Sequence, residues 1–108
     1  ANIVNLSSIL GSLTAHSDPD SPVYNAKFLA YNVSKTALNG FTVHLAHELK
    51  DTGINVNSIH PGWVKSDMGG DLADMDLDNG SETSVKFATL DSNGPTGGFY
   101  HFNEVLPW

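Results

Sequence analysis

At 108 residues the chain has room for one small domain and not for two, and 40% hydrophobic with 16% charged residues is the make-up of a packed globular protein. Twelve carboxylates face five lysines and no arginine, a formal charge of −7, so a phosphate backbone would be repelled and nucleic acid is not expected as a partner. There is no cysteine, which removes disulfides and Cys-based metal sites and is compatible with the cytoplasm, and no apolar run approaches the roughly 18 residues of a membrane span.

The opening residues, Ala1-Asn2-Ile3-Val4-Asn5-Leu6, have neither the basic stretch nor the long apolar region of a signal peptide. They lack an initiator Met and start directly in a strand-like run, so further sequence is expected upstream. Ile3-Val4-Asn5-Leu6, closed by Ser7, Ser8 and Gly11-Ser12, reads as a buried strand running into a loop. Residues 14–27 are polar and interrupted by Pro19 and Pro22, and read as loop. From Leu29 to Lys50 there is no proline, and Leu38, Phe41, Leu45 and Leu49 recur at steps of three and four, which predicts one long helix with an apolar stripe. Gly53 is placed to stop it. Ile54-Asn55-Val56-Asn57-Ser58-Ile59 then alternates apolar and polar and ends at His60-Pro61-Gly62, a second strand entering a turn. Strand, helix, strand makes a βαβ unit with parallel strands. Residues 67–82 hold Asp67, Asp71, Asp74, Asp76, Asp78 and Glu82 and no basic side chain, a solvated excursion. A short helix around Ser84 to Leu90 and a final strand within Gly97 to Phe102 complete the prediction.

Tyr31 and Lys35 stand four apart in the first turns of the long helix, which puts phenol and ammonium on one face with Cβ atoms roughly 5–6 Å apart. A free tyrosine ionises near pH ~10, and a neighbouring cation favours its phenolate, so such a pair can pass a proton nearer neutrality. Taken alone the spacing is most often a surface pair. Its setting makes the difference. The strand before it ends in Ser7-Ser8 and the strand after it ends in Pro61-Gly62-Trp63-Val64-Lys65-Ser66, so all three pieces lie at the carboxyl ends of parallel strands, where open α/β sheets bind ligands.

Ile3-Val4-Asn5-Leu6-Ser7-Ser8, Tyr31-x-x-x-Lys35 and Pro61-Gly62-x-Val64-x-Ser66, in this order, resemble the second half of the short-chain dehydrogenase/reductase family. Residues 94–108 resemble the last strand of its carbonyl-reductase-like members. The resemblance covers essentially the whole chain. It implies an α/β fold, the C-terminal half of a Rossmann-like doubly wound parallel sheet, and an NAD(P)-dependent interconversion of a carbonyl and an alcohol. Carried over residue by residue, it implies that Tyr31 donates the proton to the carbonyl oxygen. Lys35 lowers the phenol's pKa and binds the nicotinamide ribose. Ser8 hydrogen-bonds the substrate oxygen, with Ser7 as the rival. Pro61, Gly62, Val64 and Ser66 line the nicotinamide, Ser66 keeping the hydroxyl of the Thr more common there. The carbonyl-reductase-like ending favours NADP over NAD. A small-molecule carbonyl or alcohol is the implied substrate, and the helix from Leu29 to Lys50 is a candidate surface for pairing two copies.

The chain departs from the family pattern in two ways. The stretch between Ser8 and Tyr31 carries an insertion within about residues 15–27, which leaves the path over the substrate pocket open. The glycine-rich turn that cradles the pyrophosphate, the Asn-Ala-Gly motif and the Asn of the catalytic set have no counterpart. The alternative reading is therefore a truncated, non-catalytic interaction or dimerisation module. Tyr24 and Lys27 have the wrong spacing for a second Tyr-Lys motif and are assigned to the insertion. His44, His47 and Glu48 do not follow the order of the His-Glu-x-x-His zinc motif and read as a helix face. Asp74-x-Asp76-x-Asp78 starts like a calcium loop, but Asn79 and Val85 stand where Gly and Glu are required. Residues 67–82 are either part of a lid or a solvated loop. Trp63 and Trp108 either line the pocket or pack.

Overall fold

The computed structural model describes residues 1–62 and 81–108. Strand β1 spans Asn2–Leu6, followed by a 3-10 turn over Ile9–Gly11 and a short helix α1 at Leu13–Ser17. The long helix α2 covers Leu29–Glu48, β2 Asn55–Ile59 and helix α3 Glu82–Ala88, and β3 (Phe99–His101) with β4 (Glu104–Val105) closes the chain. The sheet order is β1-β2-β3-β4. β1 lies parallel to β2 from Asn2 opposite Asn55 to Leu6 opposite Ile59, and β3 joins the other edge of β2 in parallel, Ser58 opposite Phe99. The predicted βαβ unit is present, and the fold is mixed α/β with a mainly parallel sheet.

Side chains of a strand alternate between faces, and here each face receives a helix. Ser58 and Asn5, opposite one another in register, both reach Thr42 of α2, at 2.7 and 2.9 Å. On the other face Asn2 donates to the carbonyls of Ala88 and Leu90 at the end of α3, at 3.1 and 2.8 Å. Val56, Ile59, Phe87 and Phe99 form the core, each no more than 2% exposed. All five residues of β2 are buried, because the strand is paired on both edges and covered on both faces. Its asparagines are satisfied inside: Asn57 Nδ2 donates to the Pro95 carbonyl at 2.9 Å and Asn55 Nδ2 to that of Asp91 at 2.7 Å.

Five sequence expectations change. Strand β1 is half-exposed rather than buried, with Leu6 55% exposed, because among the described residues it is paired along one edge only. Residues 14–27 are not all loop: the Ser12 hydroxyl accepts from the Ala15 N–H at 3.0 Å and caps α1, the arrangement expected of a serine N-cap. The most buried positions of α2 are Asn32, Asn39, Thr42 and Ala46; of the predicted stripe, Leu38, Leu45 and Leu49 are half-buried beside them and Phe41 is 55% exposed. The last strand is shorter and becomes a hairpin, with Phe102 at φ 52° in the turn and Tyr100 opposite Val105 in β4. Helix α3 also starts slightly earlier than predicted.

The segment between α1 and α2 is tied down locally. Lys27 Nζ donates to the His16 carbonyl at 2.9 Å and to that of Tyr24, and lies 4.6 Å from the centre of the Tyr24 ring. Lys27 and Tyr24 thus contact one another within this segment.

Candidate active site

The two serines join β1 to the 3-10 turn, and they diverge. Ser7 Oγ points into the helix-sheet interface and donates to Asn39 Oδ1 at 2.7 Å, both residues buried. Ser8 Oγ accepts from the Leu10 N–H at 3.1 Å as the N-cap of the turn. Its hydroxyl hydrogen is thereby left for another acceptor. The other amides of the turn are spent: Ile9 N–H goes to His60 Nδ1 at 3.0 Å and Gly11 N–H to the Ser8 carbonyl at 2.8 Å. Among the three peptide N–H groups that follow Ser8, none remains to hold an oxyanion, which leaves the Ser8 hydroxyl as the donor the turn can offer.

Helix α2 approaches this turn closely. A Cβ at Gly11 would stand 2.9 Å from both the carbonyl carbon and the Cβ of Lys35, so only glycine permits the contact. Thr36 Oγ1 seals it by donating to the Gly11 carbonyl at 2.8 Å. Lys35 is thus pinned at its backbone by the turn. Its Nζ donates to the carbonyl of Leu6, the last residue of β1, at 3.1 Å, and lies 5.6 Å from the centre of the Tyr31 ring. Tyr31 is 48% exposed, with its ring open to a ligand. The helix spacing therefore delivers what it promised, phenol and ammonium side by side beside the end of β1.

Pro61 and Gly62 follow β2 at the same end of the sheet, and Gly62 takes φ 94°, a conformation that favours glycine and exposes bare backbone. Val64 and Ser66, the remaining predicted cofactor contacts, lie outside the described residues, as do Trp63 and most of the acidic stretch. Trp108 packs, stacked on Phe99 with ring centres 5.5 Å apart. His44 and His47 are exposed on α2, and no cluster of three or more potential metal ligands occurs among the described residues. No helix there is long and apolar enough to cross a membrane.

Three residues of the site were not anticipated. Gly11 admits the helix, Asn39 holds Ser7 inward, and His60 binds the serine turn to the end of β2. Asn39 had a readable signal, since it continues the Tyr31, Lys35 series by a further step of four. His60 had none, because its partner Ile9 is 51 positions away.

Residues 1–77 match the family described as short chain dehydrogenase. The chain is 37% identical over 79 residues to short-chain dehydrogenase/reductase 1 of Saponaria officinalis, a match covering 73% of this chain and 26% of that protein. The carbonyl reductase Sniffer of D. melanogaster superposes with a TM-score of 0.77 at 37% identity, over 100% of this chain and 41% of that one. The NADPH-bound carbonyl reductase from chicken fatty liver gives 0.79 at 32% identity, over 100% of this chain and 43% of its own. The chain thus spans about a quarter of the curated relative's length and about two-fifths of the solved ones.

Proposed function

The chain belongs to the short-chain dehydrogenase family, and from that premise we propose that it is the catalytic half of an NADP-dependent oxidoreductase that interconverts a small-molecule carbonyl and its alcohol. The observation that carries this reading is the convergence of Ser8, the Tyr31-Lys35 pair and the Pro61-Gly62 turn at the carboxyl ends of β1 and β2, with Lys35 Nζ bonded to the end of β1.

The residues present fit the nicotinamide end of the cofactor. Lys35 offers an ammonium at the site and Gly62, after Pro61, a stretch of backbone without a side chain; Val64 and Ser66 are assigned to the cofactor by the family pattern of the sequence alone. NADP(H), when bound, supplies the hydride that converts the carbonyl carbon to a carbinol carbon. Ser8 Oγ–H holds the carbonyl oxygen and stabilises the charge that grows there. Tyr31 Oη gives its proton to that oxygen, and in the reverse direction takes it back from the alcohol. Lys35 provides the positive charge against which the phenolate forms, and its bond to Leu6 keeps that charge in place. The carbonyl-reductase-like ending and the NADPH of the chicken enzyme support NADP over NAD.

Leu29, Val33 and Val43, 80%, 56% and 42% exposed, share one side of α2 at about 100° per residue and support pairing of two copies through this helix.

The full-length protein is expected to oxidise NADPH in the presence of aldehydes or ketones, and Tyr31→Phe to lower the rate by about 10²- to 10⁴-fold with no change in unfolding midpoint. Turnover retained in that variant would remove Tyr31 as the proton donor.

A further inference from the structure

His60, the residue between β2 and the Pro61-Gly62 turn, is held at three atoms. Its N–H donates to the Tyr100 carbonyl at 2.8 Å and its own carbonyl accepts from His101 Nδ1 at 2.8 Å, so its backbone is fixed to β3. Its ring reaches the other way, across the end of β1, where Nδ1 accepts the Ile9 N–H at 3.0 Å. A backbone amide can only donate, so Nδ1 carries the lone pair. The ring stands tilted against that of His101, with centres 5.1 Å apart. One residue therefore links the carboxyl ends of three neighbouring strands.

We propose that His60 is a positioning residue that keeps the Ser8 hydroxyl in register with the nicotinamide-side turn. The proposal rests on the reductase reading above. Ile9 N is the first amide after Ser8 and the peptide between them is planar, so fixing that nitrogen fixes the carbonyl end of Ser8. Gly11 N–H then bonds the Ser8 carbonyl and Leu10 N–H the Ser8 Oγ, which carries the constraint to the hydroxyl itself. On the other side His60 is joined covalently to Pro61. The donor that holds the carbonyl oxygen and the turn that faces the nicotinamide are thus joined by the His60 imidazole, which extends beyond Ser7 the link that the Ser7 N–H makes to the Ile59 carbonyl at 2.8 Å. Without the Nδ1 acceptor the Ile9 amide must find another partner, and among the described residues the turn from Ser8 onward is held to β2 only through the Ser7 N–H on the Ile59 carbonyl.

The test compares His60→Leu with His60→Asn in the full-length protein. Leucine fills the space without an acceptor, whereas the Asn Oδ1 can occupy the place of Nδ1. The Leu variant is expected to lower kcat about 10- to 100-fold, with KM for the carbonyl near that of the parent, and the Asn variant to stay within about threefold. Hydrogen exchange of the Ile9 amide, measured without substrate, is expected to quicken in the Leu variant and not in the Asn variant. If the Leu variant does not fold, His60→Ala, which also lacks the acceptor, supplies the same contrast. Parental kcat in a folded variant that lacks the acceptor, or an Asn variant as slow as the Leu variant, overturns the proposal. Unchanged Ile9 exchange in the Leu variant overturns the joint itself. A parent without NADPH-dependent turnover would remove the reductase reading instead, and amide exchange would still report on the joint.

Discussion

The two sides of α2 depart from the usual order of an amphipathic helix, although Leu38, Leu45 and Leu49 remain half-buried. The side against the sheet is small and polar, with Asn39, Thr42 and Ala46 no more than 6% exposed, whereas Leu29, Val33 and Val43 face outward. Hydroxyls and amides pair across the inner interface: Asn39 with Ser7, and Thr42 with Asn5 and Ser58. Small residues let the helix backbone come close to the sheet and the serine turn, which brings Lys35 Nζ to the Leu6 carbonyl. A leucine-rich inner face would hold the helix further away. The difference between the sides reflects where the site needs close approach, and hydrophobicity alone does not register it.

Substitutions can break that contrast, and the largest effect is expected at Gly11. In Gly11→Ala the new Cβ meets backbone and Cβ of Lys35 at 2.9 Å, neither of which can rotate away, so a loss of about 2–3 kcal/mol is expected in urea unfolding, together with lower kcat. Asn39→Ala comes next. It leaves the buried Ser7 hydroxyl without its acceptor, at a cost of about 1–3 kcal/mol, and the double variant with Ser7→Ala is expected to lose less than the sum of the single losses. An additive cycle would show that the bond contributes nothing. On the outer side Val33→Ser is expected to stay within about 0.5 kcal/mol, since the residue is already 56% exposed. A clear loss of stability there, dependent on protein concentration, would instead mark that side as an interface between copies.

Much of the fold was legible in the sequence because its punctuation is local. Pro19 and Pro22 exclude a continuous helix before residue 28, the proline-free run from Leu29 marks α2, and Pro61-Gly62 ends β2. The inward side of α2 was not legible, since the periodicity of Leu38, Phe41, Leu45 and Leu49 assumes that apolar residues face the core. Here polar pairing across the interface decides instead. The β3–β4 hairpin depends on Phe102 adopting φ 52°, which is rare for a bulky residue, and on its N–H meeting Thr83 Oγ1 at 3.0 Å. For the site, helix spacing foretold the Tyr31-Lys35 pair. The separation of Ser7 from Ser8 required Asn39, and the role of His60 required Ile9, contacts that span 32 and 51 residues. Local patterns carry no record of such distances.

The most direct test of the reductase account is isotopic. The full-length protein would be given NADPH deuterated at C4 and a simple ketone, and the product analysed for deuterium at the carbinol carbon, with Tyr31→Phe in parallel. The account predicts deuterium transfer by the parent with one stereoisomer of the labelled cofactor, and almost none by the folded Phe variant. Transfer by that variant at the parental rate, or no transfer by the parent from either isomer, would contradict it.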